Sequence, residues 1–204
     1  MRHLVLFLLA ALTCGGTFAA GGDPLDALAK SGARIERDAG RPGNPVVKIS
    51  LRNTKTKDDD LKPLRGLKTL RSLDLSHTEI GNAGLAQLED LSQLEDLNLA
   101  FTAVTDEGLT ALRGMTSLKV LNLEKPCKGS YTPKTRFTDK AVVHLQALTR
   151  LESLNLDWNM FTDAGLADMA KMTSLREVIL GYQTGVTSKG QALLRERLPK
   201  AKIH

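Results

Sequence analysis

The sequence predicts an α/β solenoid, with a parallel sheet on one face and helices on the other, and two observations predict it. A leucine frame recurs at Leu70, Leu94, Leu118, Leu151 and Leu175, spaced by 24, 24, 33 and 24 residues. A fixed period of this size marks one supersecondary unit that buries its apolar face only by stacking on copies of itself. Within each unit two periodicities follow one another. The LxxLxL segment alternates apolar and polar residues like a strand with one buried face, whereas Gly108, Leu109 and Leu112 recur at helical spacing. Each strand runs the same way and returns through the helical side, so successive strands pair in parallel.

The units align as LRSLDLSHTEIGNAGLAQL from Leu70, LEDLNLAFTAVTDEGLTAL from Leu94 and LESLNLDWNMFTDAGLADM from Leu151. Degenerate copies begin at Val46 and Leu175. The shared pattern LxxLxLxxTx(V/I/F)TDxGLxxL resembles that of leucine-rich repeat proteins. In particular it is similar to the threonine-type repeats common in secreted bacterial proteins and to the repeats that follow F-boxes in ubiquitin-ligase adaptors. The resemblance implies a right-handed, horseshoe-shaped arc of about six repeats plus a terminal half-repeat, with the sheet concave and the helices convex. It also implies an adaptor role in ubiquitin transfer as one alternative. The chain departs from that pattern, because it leaves no room for an F-box and its first residues point out of the cytoplasm.

Those first residues, 1–20, have a basic start, an apolar run from Leu4 to Leu12 and small residues near Ala19 and Ala20, as in a secretory signal peptide. The run is too short for a good transmembrane span. The expected location is therefore exported: periplasmic, cell-envelope or secreted, in a bacterium. Cys14 sits in a poor lipobox, and membrane contact is expected only if it is lipidated. Residues 21–45 read as an N-terminal cap: a short helix from Pro24 to about Lys30, then a Gly and Pro turn, with Leu25, Leu28 and Ile35 covering the open end of the first repeat. The repeat domain spans 46–204, and Leu198 to Ile203 add a closing strand. With both ends covered, the array is expected to be complete.

Threonine and aspartate before each helix, as at Thr105 and Asp106, Thr138 and Asp139, or Thr162 and Asp163, have local reasons to be there. Threonine caps free amides, and a carboxylate faces the positive end of the helix dipole. Asp58, Asp59 and Asp60 read as another helix start, since no EF-hand spacing accompanies them. Gly84, Gly108, Gly165 and Gly190 share one repeat position, where a missing side chain lets the helix lie close to its neighbour. The third full unit carries a nine-residue insertion within 124–136, rich in Lys, Pro and Gly. It reads either as part of a binding face or as a tolerated surface loop.

The net charge is +5, but it alternates in acidic and basic blocks along the chain, which argues against the continuous basic stripe of a nucleic-acid binder. Removal of the leader leaves Cys127 alone, so no intramolecular disulfide is expected. The sequence holds no HExxH, GxSxG, P-loop or paired zinc cysteines. Asp74, Ser76 and His77 are sequence neighbours, a poor basis for a hydrolytic triad. Neither enzyme activity nor a cofactor or metal is expected.

Numbered from the first leucine, positions 4 and 6 of each unit point inward, and positions 3, 5, 7 and 8 project. Position 5 forms a polar row that includes Asn98, Asn122 and Asn155, and position 7 includes Asp157. Position 8 holds His77, Phe101, Lys125, Trp158 and Tyr182, among them three of the few aromatic residues. Strands about 4.8 Å apart would make Trp158 and Tyr182 neighbours and place Phe101 two strands away, a stacking platform for a sugar chain or peptide. Local packing of the rings against each other is the competing reading. These residues, with Tyr131 in the insertion, form the candidate ligand-binding set. The expected function is a monomeric, non-catalytic binding module for a protein or glycan, with a self-assembling envelope component as the alternative.

Overall fold

The computed structural model describes residues 23–125, 135–183 and 185–204. The expected signal peptide with Cys14, and most of the insertion with Cys127 and Tyr131, lie outside the described residues.

Eight strands form one sheet in chain order. They are β1 (Arg34–Arg37), β2 (Val46–Ser50), β3 (Ser72–Asp74), β4 (Asp96–Asn98), β5 (Val120–Asn122), β6 (Ser153–Asn155), β7 (Glu177–Ile179) and β8 (Lys202–Ile203). From β2 onward every pair is parallel, and the position 4 residues fall opposite one another: Ile49, Leu73, Leu97, Leu121, Leu154 and Val178. The opposite layer carries helices α1 (Asp26–Lys30), α2 (Asn82–Ala86), α3 (Val142–Leu145), α4 (Asp163–Met169) and α5 (Ser188–Arg197). Three 3-10 segments, Asp58–Leu64, Asp106–Gly114 and Asp139–Ala141, take or begin the helical side of their units. Leucines of the frame and of the helical side fill the space between the layers and are almost fully excluded from solvent. Stacking thus supplies the apolar burial that no single unit achieves alone.

The cap holds more than the expected helix and turn. Residues 34–37 form β1, antiparallel to β2, with Ile35 opposite Ile49. Asn44 and Gly43 take left-handed backbone angles in the connecting turn, and the Asp38 amide donates to the Pro45 carbonyl across it at 2.9 Å. With one apolar residue in RIER, no alternation marks this strand. Leu25 and Leu28 of the cap are buried in the core.

The threonine and aspartate before each helix join repeats to one another. Asp139 accepts from the Thr162 amide at 2.9 Å and from its hydroxyl at 2.5 Å, and Asp163 does the same for Thr187 at 2.8 and 2.6 Å. Asp106 holds the Thr138 amide and hydroxyl at 3.0 and 2.7 Å. The same threonine oxygens accept from helix amides two residues on, at 3.3 Å from Lys140, 3.2 Å from Ala164 and 3.2 Å from Lys189. Each is a relay from helix amide to hydroxyl to the carboxylate of the preceding repeat. At Asn82 the polarity reverses. Its amide nitrogen donates to the Thr105 oxygen at 2.9 Å while its carbonyl accepts from the Thr105 amide at 2.9 Å. Thr105 then donates to Glu107 instead and makes no cap bond.

This junction explains the repeat glycine. A Cβ on Gly84, Gly108, Gly165 or Gly190 would collide with the side-chain oxygen of Asp58, Asn82, Asp139 or Asp163 respectively. The close neighbour is the first residue of the preceding unit's helical segment, so each helix lies close to its neighbour as expected, and the contact is made by a carboxylate or amide. Gly165→Ala should therefore lose about 1–3 kcal/mol through overpacking. In a double-mutant cycle with Asp139→Ala the two losses should be less than additive by more than about 0.5 kcal/mol. Strict additivity in urea unfolding would show that the glycine serves some other contact.

Candidate binding surface

The turn leaving each strand places the candidate residues. At position 5, Asp74, Asn98, Asn122 and Asn155 accept from the amides of Ser76, Ala100, Glu124 and Asp157 at 2.9, 3.0, 2.9 and 2.9 Å. The polar row is thus partly occupied in bending its own backbone. At position 9, the hydroxyls of Thr54, Thr78 and Thr102 donate to the carbonyls of Leu51, Leu75 and Leu99 at 2.6, 2.6 and 2.7 Å. In later units longer amides take this place. Buried Asn159 donates to Leu123 and Leu156, both at 2.9 Å, and Gln183 donates to Leu156 and Leu180 at 2.5 and 2.7 Å.

Between these two anchors the backbone turns left-handed at position 8, with φ of 59° at Asn53, 56° at His77, 59° at Phe101 and 61° at Trp158. Asparagine tolerates this region, whereas bulky side chains seldom occupy it. In the last repeat Gly181 takes the left-handed angle one residue earlier, at φ 47°. Asp157 lies against that glycine and accepts from the Tyr182 amide at 2.8 Å. It is a positioning residue for the ring that follows.

Among the described residues the rings form two stacked pairs. His77 and Phe101 stack with centroids 4.1 Å apart and planes 11° apart. Trp158 and Tyr182 stack at 4.6 Å and 27°. Tyr182 is 56% exposed, and His77 is exposed while Phe101 and Trp158 are half-buried. The Ser76 hydroxyl is buried with no hydrogen-bond partner, so its neighbour His77 does not serve it as a base.

Lys125, expected to project beside these rings, is a correction. Its side chain is fully buried, with Nζ donating to the Thr102 and Val104 carbonyls at 2.8 and 2.9 Å and lying 4.5 Å from the Phe137 ring centre. The position 9 residue of this unit is Pro126, which carries no side-chain donor; the Leu123 carbonyl is served by Asn159 of the next unit, while the ammonium serves two carbonyls of the preceding one. Burial pulls the Lys125 pKa down to about 7, with the Asp106 carboxylate opposing. Among the described residues its inward turn separates the two ring pairs. Tyr131, the other insertion candidate, lies outside the described residues.

Two regions of the sheet face are charged. Glu124 is held above the usual carboxylate range by burial and by Asp157, with His77, Asn155 and Arg52 opposing. Over β1 to β4 lies a cleft of about 350 Å³ lined by Arg34, Glu36, Lys48, Ser50, Arg52, Ser72, Asp74, Asp96 and Asn98. Sequence reasoning missed this cleft because one wall comes from β1. Asp96 is raised by its burial, with the Ser72 hydroxyl opposing. Among the described residues no group of His, Cys, Asp and Glu is arranged to hold a metal ion, and no helix is long and apolar enough to cross a membrane.

A parallel ladder backed by helices, with turn side chains repeated at fixed positions, defines a repeat solenoid. The family described as Leucine Rich repeat matches at residues 66–88, 92–112 and 147–170. No curated protein matches the sequence. Among solved structures the chain is similar to an internalin C2 (inlC2) of Listeria monocytogenes, with TM-score 0.58 and 22% identity, over 78% of this chain and 70% of that one. It is also similar to an internalin (inlF) of the same organism, with TM-score 0.54 and 24% identity, over 70% of this chain and 36% of that one. The chain therefore spans about a third of the inlF length. The chain is a leucine-rich repeat protein, and the likeness to the internalins is one of fold.

Two outcomes test this geometry. A β-branched residue fits the left-handed region poorly, so His77→Val should lose about 1–3 kcal/mol, whereas His77→Asn should lose less than the valine variant. Equal losses in thermal unfolding would remove the turn as the cause. For Lys125, the unfolded chain keeps its proton up to about pH 10.4, while the folded chain releases it near pH 7. Between these values the unfolded state binds more protons, so Lys125 makes stability rise with pH there and adds no slope below. The stability difference between the parent and Lys125→Met should therefore move in the parent's favour above neutral pH, by at most about 1.4 kcal/mol per pH unit. A difference that stays constant from pH 6 to 10 would mean the buried amine does not titrate there.

Proposed function

We propose that this chain is an exported, non-catalytic, monomeric binding module that recognises a protein or a glycan through its sheet face and the adjoining turns. The observation that carries this reading is the Trp158 and Tyr182 stack, with Tyr182 more than half exposed. An exposed ring on a rigid neighbour offers a flat apolar face at small entropic cost, which suits a sugar ring or a peptide side chain. Trp158 is held at a turn fixed on both sides by hydrogen bonds, and Asp157 fixes the backbone of Tyr182. Such preorganisation favours recognition because less freedom is lost on binding. The same surface carries Asn155 and Glu124, separated by 3.5 Å, as polar groups for orientation.

Trp158 is the sole tryptophan, so its emission reports on this surface directly. Titration with soluble oligosaccharides and with short peptides should produce a saturable change in emission for members of one class. Tyr182→Ala should weaken that binding by at least about tenfold, or 1.4 kcal/mol, while leaving the unfolding midpoint close to the parent value. A folded protein whose emission responds to neither class would overturn the proposal.

A further inference from the structure

The cleft over the first four strands is separate from the ring pairs and has its own chemistry. The antiparallel pairing of β1 puts Arg34 opposite Ser50, and the parallel register continues that row to Asp74 and Asn98. A second row runs Glu36, Lys48, Ser72, Asp96. Arg52 continues the outward face of β2 and lines the same cleft.

The charges in the two rows are not used alike. Lys48 pairs with Glu36 at 3.1 Å, and the Ser72 hydroxyl donates to Asp96 at 3.2 Å. Arg34 and Arg52 make no side-chain hydrogen bond or ion pair among the described residues. Lys48 also acts on Asp96, and Arg52 on Glu124, without an ion pair, and Asp74 accepts from the Ser76 amide through one oxygen. The guanidinium groups stand on the β1 and β2 side and the carboxylates of Asp74 and Asp96 on β3 and β4. Arg34 and Asp74 stand two strand spacings apart, about 10 Å between backbones, and no ion pair closes that gap. Opposite charges are thereby presented side by side in a concavity, with no ion pair joining the two guanidinium groups to Asp74 or Asp96.

We infer that this cleft binds a short zwitterionic peptide with both ends free, its carboxylate on Arg34 and Arg52 and its ammonium group on Asp74 and Asp96. Paired, planar guanidinium donors suit a carboxylate, and two acceptor-only side chains suit an ammonium group. The length agrees: three extended residues span about 10 Å. The volume of about 350 Å³ lies at the low end for ligand pockets, which favours small side chains. Such a ligand adds no net charge to a site that is itself balanced. The inference rests on the sheet face being the working surface, as proposed above, but not on the rings.

The test is calorimetric titration at low salt with tri-alanine bearing free ends, and with its N-acetylated, C-amidated and doubly blocked forms. Free tri-alanine should bind, and blocking either end should weaken it at least tenfold. Arg34→Gln with Arg52→Gln should weaken free tri-alanine to the level of the amidated form while leaving the amidated form unaffected. Asp96→Asn should do the same for the acetylated form. Melting curves of each variant establish that it is folded. Equal binding of free and blocked forms, or none by the folded parent, overturns the inference. Binding should persist in Trp158→Ala; its loss there would place the peptide on the rings and overturn this site while leaving the ring surface standing.

Discussion

The structure depends on the hydrogen-bonded junction between the aspartate of one repeat and the threonine of the next. A solenoid has no contacts between distant parts of the chain to fix its geometry, so each neighbour pair must set its own spacing. Apolar stacking is non-directional and would tolerate sliding, whereas two hydrogen bonds to one carboxylate at Asp106, Asp139 and Asp163 specify register. The same threonines take up helix amides that would otherwise lack partners. Junction and helix start are therefore one network. For Asp163, the hydroxyl and amide of Thr187 hold the carboxyl below its usual range, so this junction is strongest with the carboxylate ionised and loosens as pH falls through its depressed pKa.

A second constraint works at the opposite side of each strand. Position 5 takes the amide of position 7, and position 9 takes the carbonyl of position 6, so the chain between them has few conformations left. The left-handed angle at position 8 is the outcome, and it recurs with side chains as different as asparagine, histidine, phenylalanine and tryptophan. The rings are thus borne by the turn and do not create it. This separates presentation from stability for side chains that tolerate the left-handed region: the scaffold supplies the geometry, and among such residues the identity at position 8 is left open to function. Lys125 is the exception, because its ammonium turns inward to serve the Thr102 and Val104 carbonyls of the preceding repeat.

Much of the fold was legible because leucine periodicity and the recurrence of TDxG are properties of sequence alone. The ring column was legible for the same reason, as counting along aligned units places Trp158 beside Tyr182. What was not legible involved partners outside the unit. Aspartate at a helix start has a sufficient local explanation, so nothing in the sequence points to a threonine 23 residues further on. Lys125 occupies a position 8 by count, but its orientation is decided by unsatisfied carbonyls at Thr102 and Val104 in the preceding repeat. Strand β1 carries only Ile35 as an apolar residue and forms because the exposed edge of β2 requires a partner. Without β1, Arg34 has no place, and the charged cleft cannot be foreseen.

The inward turn of Lys125 divides the outer surface while leaving the ladder behind it unbroken. The register continues from Asn98 to Asn122 to Asn155 without interruption, although the chain between the last two is longer by nine residues. Sheet register is fixed by the inward leucines and the backbone ladder, and neither involves the turn side chains. The front is therefore free to differ on the two sides of that repeat. Toward the N-terminus lie the polarised cleft and the His77 and Phe101 stack; toward the C-terminus lie the Trp158 and Tyr182 stack with Glu124 and Asp157 beside it. Side chains at position 3 stand outside the core, so exchanging them disturbs little of what holds the repeats together, whereas those at position 5 are tied into the turn that follows. A chain with few repeats can thus carry two chemically distinct surfaces on one sheet.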